Sequence, residues 1–159
     1  MIKRIHLYSI QEVFEARRRA RPNYKGIKDR LCEVYLRTYR LQNFMKHGTK
    51  CVECGIKGEF FAIEIYGKKQ GPCLNLYGFN KYNDEVLLTC DHIKPVSKGG
   101  HCCIHNLRVL CEKCNRAKGD DWFLKYKVKF FVSLLLHKLN GTCECKLKHI
   151  LNNKKRRTR

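Results

Sequence analysis

Apolar side chains along the chain follow two different periods. Ile27, Leu31, Val34, Tyr35, Thr38, Leu41 and Met45 recur at intervals of three and four, which predicts a helix over residues 27–47 with Gly48 just past its end. A shorter basic helix is predicted upstream. "SIQE" at residues 9–12 has the form of a capping box, Ser9 capping and Glu12 reaching back, and the helix should stop near Arg19, before Pro22. After Gly55 the pattern changes. "FFAIEI", "LNLYGFN" and "EVLLT" are short β-rich runs separated by "YGKKQGP" and "NKYND", so they read as strands or hairpins. "HIKPV" opens a loop that "SKGG" turns sharply, "NLRVL" is a further strand, and a helix should begin near Glu112. Residues 122–139 suit a helix ended by Asn140-Gly141, although "KYKVKFFV" alternates as a strand would.

Charge divides the same chain into parts. Lys and Arg number 34 against 14 Asp and Glu, a formal net charge of +20 over 159 residues. Residues 1–50 carry +9, residues 51–121 only +1, and residues 122–159 carry +10. Such an excess points to a polyanion as partner. The expected organisation is a basic helical N-terminal region over 1–50, a nearly neutral chemical core over 51–121, a C-terminal helical region over 122–151 and a disordered basic tail over 152–159. No membrane span is expected, because the longest apolar run, "FFVSLLL", falls far short of the roughly 20 residues a spanning helix needs. No signal peptide is expected either, as the N-terminus lacks a long apolar stretch.

The neutral centre holds the unusual residues. Eleven cysteines, an odd number, fit a reducing intracellular compartment and metal thiolates better than a disulfide framework. Cys51-x-x-Cys54 and Cys111-x-x-Cys114 are two knuckles, each able to present two thiolates from one tight turn, and together they suit a tetrahedral structural zinc. Cys32, Cys73, Cys90, Cys102, Cys103, Cys143 and Cys145 have no assigned role. Between and beside the knuckles stand Asp91-His92, Gly99-Gly100, Asn106 and Asn115. Carboxylate and amide oxygens favour a hard cation, so one short segment carries ligands for two kinds of metal.

The run "DHIKPVSKGG…NLRVLCEKCNRAKGD" resembles the HNH endonuclease family over about residues 88–120, in the form found in bacteriophages, with Cys51 and Cys54 supplying the family's other zinc knuckle. The resemblance implies an α+β fold: a ββα-metal core with a four-cysteine zinc site, flanked by basic helical extensions. It implies that His92 is the general base, that Asp91 and Asn115 hold a catalytic divalent metal (magnesium or manganese), and that Asn106 orients the histidine and its loop. Asn115 stands where the family's name has histidine, a change that favours magnesium over zinc, nickel or cobalt. The expected activity is metal-dependent hydrolysis of DNA phosphodiesters by a monomer that nicks or a homodimer that cuts both strands. Two other readings stay open: a non-catalytic zinc-ribbon module that binds nucleic acid, and a junction-resolving nuclease.

Overall fold

A computed structural model describes residues 2–19, 38–67 and 72–120, with four helical positions beyond them at Val128, Phe131, Val132 and Leu135. Five strands, β1 (Ile2–Ser9), β2 (Gly58–Tyr66), β3 (Cys73–Phe79), β4 (Glu85–His92) and β5 (Leu107–Cys111), form one sheet in the order β1-β2-β3-β4-β5. Every neighbouring pair is antiparallel, so each strand lies beside its neighbours in the chain. Within the described residues up to Asp120, three α-helices accompany it: α1 (Ile10–Arg19), α2 (Tyr39–His47) and α3 (Glu112–Lys118).

The three β-rich runs after Gly55, the strand "NLRVL" and the helix from Glu112 all form as their patterns predict. The capping box also forms, with Glu12 N donating to Ser9 Oγ at 3.2 Å and Ser9 N to Glu12 Oε2 at 2.6 Å. Two expectations need correcting. The N-terminal region is not wholly helical, because Ile2–Ser9 is β1 and pairs with β2. Nor does one helix run unbroken over 27–47. Thr38 is extended (φ −69°, ψ 144°), and its hydroxyl accepts from Leu41 N at 3.2 Å, so a new helix starts at Tyr39. Residues 27–37 lie outside the described residues, as do the expected basic tail and nearly all of the C-terminal region.

The core fills one face of the sheet. Val13 of α1 and Leu41 and Phe44 of α2 pack on Phe61, Ile63, Leu74, Leu76, Leu88 and Val109. Alternation along β4 then decides what the site receives. Leu88 joins this core, while Thr89 and Asp91 meet α3 instead. All five residues of β5 are buried, for it packs against both α2 and α3. Away from the site, buried Glu64 accepts from Arg4, Tyr66, Asn75 and Tyr77, which satisfies a carboxylate that burial alone would penalise. Arg40 extends the same network, donating to Asn75 Oδ1 at 2.8 Å and to the Leu88 carbonyl at 3.0 Å, close to where the β3–β4 ladder ends.

Candidate active site

β4 and β5 meet in register, with Asp91 opposite Arg108 and His92 opposite Leu107. Backbone bonds and the buried Asn106 side chain hold much of the loop between them. Gly99 takes a left-handed conformation at φ 78°, and a Cβ on Gly100 would collide with the Lys94 carbonyl, so both glycines are required for the reversal that "SKGG" suggested. Asn106 is 1% exposed and grips both ends of this loop. Its Oδ1 accepts from Lys94 N at 2.8 Å, while Nδ2 donates to the carbonyls of Lys94 at 3.0 Å and His101 at 2.9 Å. From the other side, α2 props the loop through His47 Nε2 and the Ile104 carbonyl, 2.9 Å apart.

Asp91, His92 and Asn115 all line one open cleft of about 470 Å³ between the end of β4, the following loop and α3. Asn106 does not line it and lies beneath, on the loop backbone. The Asn115 amide nitrogen donates to Thr89 Oγ1 at 3.0 Å, and Thr89 in turn donates to the Leu110 carbonyl. With its nitrogen committed to β4, Asn115 has its Oδ1 left as a donor atom for a cation.

The Asp91 carboxylate is occupied at both oxygens. Lys118 Nζ donates to Oδ1 at 2.7 Å and Arg108 Nε to Oδ2 at 2.9 Å. Lys118 also donates to the His92 carbonyl at 2.8 Å, and Arg108 reaches Glu53 at 3.3 Å. These three side chains are all buried, so the ions offset one another where water cannot. The sequence pattern does not single out Arg108 as a partner of Asp91. A signal existed: Arg108 is the single charge in the strand "LRVLC", and a cation there needs a buried partner.

The four knuckle cysteines converge. The sulfurs of Cys51, Cys54, Cys111 and Cys114 lie within 4.8 Å of one another, in reach of a single ion. Among the described residues no other group of three or more His, Cys, Asp or Glu is placed to do this. Cys51 hangs on backbone bonds from Cys51 N to Ile56 O and from Val52 N to Val109 O, so its knuckle is tied to β5. Cys111 ends β5 and caps α3, its sulfur accepting from Cys114 N at 3.4 Å. Burial pushes the Cys51 thiol up, but N–H groups of Cys54, Cys111 and Glu53 outweigh it and bring it down to about 7. Burial and neighbouring sulfurs push Cys114 well above the ordinary thiol range, and burial raises Cys54. Four thiolates this close repel one another unless a cation joins them, and soft sulfur donors in this number fit zinc.

Residues 78–121 match the HNH endonuclease family. No curated protein and no solved structure matches the chain. The HNH match covers β4, β5, α3 and one of the two knuckles, and leaves the sheet's first two strands outside it. Nuclease activity is a general property of that family. Within the matched segment, the cleft and the cysteine cluster fall on either side of one residue step, from Cys114 to Asn115.

Proposed function

We propose that the protein is a metal-dependent HNH endonuclease that hydrolyses DNA phosphodiester bonds, with His92 as general base. The observation that carries this reading is the convergence of Asp91, His92 and Asn115 on one cleft within the segment that matches the HNH family. A neutral imidazole can take a proton from water near pH 7. Asp91 and Asn115 offer the hard oxygen donors that suit magnesium or manganese, and such an ion, when bound, would supply charge stabilisation at the phosphate. The residues present fit it in donor chemistry. Asn106 serves by fixing the loop that follows His92. Zinc on Cys51, Cys54, Cys111 and Cys114 would fix the start of α3, and Asn115 with it.

DNA as the substrate rests on the net charge of +20, which favours a polyanion, and on the family's general action on nucleic acid. Among the described residues no helix is long and apolar enough to cross a membrane. One observation favours the non-catalytic zinc-module reading: the Asp91 carboxylate already has two buried ionic partners.

Supercoiled plasmid separates the two. With magnesium or manganese the protein should convert it to open circles or linear DNA, and EDTA should stop the reaction. His92→Ala should bind DNA normally yet cut slower by roughly 10²–10⁴. A His92→Ala protein that nicks at the wild-type rate would sink the mechanism, and a wild type that binds plasmid without cutting it under any divalent metal would favour the binding module.

A further inference from the structure

We propose that Cys102 is the positioning residue of the catalytic base, its sulfur fixing which nitrogen of His92 carries the proton. This rests on the reading of His92 as the base. Cys102 Sγ lies 3.1 Å from His92 Nε2, across ten residues of chain. A neutral imidazole has one N–H and one lone pair, and only the lone pair can accept a proton from water. The 3.1 Å separation admits either direction, S–H to a bare Nε2 or Nε2–H to sulfur; we take the second, which leaves the lone pair on Nδ1. No hydrogen bond joins a described residue to Nδ1, and His92 lines the cleft, so in this tautomer Nδ1 is the nitrogen that would take the proton from water. When Nδ1 takes the proton, the ring becomes a cation, and the bond from Nε2–H to sulfur strengthens by becoming charge-assisted. The pairing follows the general logic of a base oriented by a third group.

The loop is built to hold this contact. Cys102 follows His101, whose carbonyl accepts from Asn106 Nδ2, and Gly100 N donates to the Pro95 carbonyl at 2.9 Å. Asn106 therefore acts at both ends of the pair, restraining Lys94 two residues after His92 and His101 one residue before Cys102. Cys102 itself is exposed, so shortening its side chain leaves no core cavity and little effect on folding is expected.

The test compares full-length wild type, Cys102→Ser and Cys102→Ala. Ring nitrogen shifts of His92, read by ¹⁵N NMR at a pH where the ring is neutral, report the tautomer without any need for catalysis. Wild type and Cys102→Ser should show Nε2 protonated and Nδ1 bare, and Cys102→Ala a mixture. Plasmid nicking should fall roughly 10- to 100-fold in Cys102→Ala, the scale expected when a histidine loses the group that orients it. DNA affinity should stay the same, and serine should restore most of the rate. An unchanged tautomer in Cys102→Ala overturns the proposal, and so does an alanine variant that nicks as wild type does. If instead His92→Ala nicks normally, the base reading fails, while the tautomer shift still decides whether the sulfur sets the ring.

Discussion

Asp91 illustrates how one side chain can carry two jobs at once. As a cleft residue it has the donor chemistry for a hard cation, and as a buried anion it balances Lys118 and Arg108. Removing it leaves the buried Lys118 ammonium without a carboxylate and Arg108 with Glu53 in place of two acidic partners. Asp91→Ala should therefore lower stability by about 3–5 kcal/mol, the usual cost of breaking a buried ion pair from one side. Asp91→Ala combined with Lys118→Met should recover part of that loss, because it removes one stranded charge. Urea titrations of the single and double variants give the answer, and an Asp91→Ala midpoint equal to wild type would show that the three ions do not support one another. The motif made Asp91, His92 and Asn115 legible from the sequence, since their types and order carry the pattern. The ionic partners were not, because they arrive from 17 and 27 positions away and depend on strand register and on the fall of α3.

At the scale of elements, β5 and α3 share one junction, where Cys111 ends a strand and caps a helix while Cys114 and Asn115 follow on the first turns. Neighbours in sequence should thus differ in kind when mutated. Cys114→Ala should lose zinc and stability together, because structural zinc contributes directly to folding free energy. Asn115→Ala should keep its zinc and lose only its bond to Thr89, worth about 1 kcal/mol. Zinc content by mass spectrometry beside a thermal melt tests the pair, and equal losses would make Asn115 a structural residue. Zinc affinity should also weaken as the pH falls. Cys51 titrates near 7 without metal and Cys54 and Cys114 are raised, so binding expels more than one proton, and affinity should drop by more than about tenfold per pH unit below neutrality. A chromophoric chelator in competition across that range measures it, and a slope of one proton or fewer would mean that most of the thiols are already ionised. The strands around this junction were legible because half-buried β-runs between turn residues leave a clear pattern. β1 was not, for a physical reason. It is largely exposed, and its pairing with β2 shifts register between Arg4 and His6, which breaks the alternation of Ile2, Ile5 and Leu7 that would have marked a strand. Thr38 was misread for the opposite reason, falling on an apolar helical stripe while its hydroxyl caps.

For the whole molecule, charge and chemistry are separable. The last six residues, "KKRRTR", hold five positive charges and none of the clustered cysteines or cleft residues. If three or four of them neutralise phosphates, ending the chain after Asn153 should flatten the dependence of log affinity on log salt by roughly three units. Zinc content and the choice of divalent metal for cutting should stay as they were. Filter binding of His92→Ala proteins across a salt series reads the slope, and identical slopes would shift the search to the N-terminal arginines. The cysteine cluster has a consequence of another sort, in the order of events during folding. Cys54 and Cys111 are 57 positions apart, and β2, β3, β4 and β5 all lie between them. Neither knuckle alone offers more than two sulfurs, and bringing the knuckles together before the strands have paired means closing a loop of that length against its own chain entropy. Tight metal capture therefore waits for the meander to assemble. In refolding from denaturant with zinc present, secondary structure should appear first, and the metal should leave a competing dye only in the last phase, at a rate that added zinc does not increase.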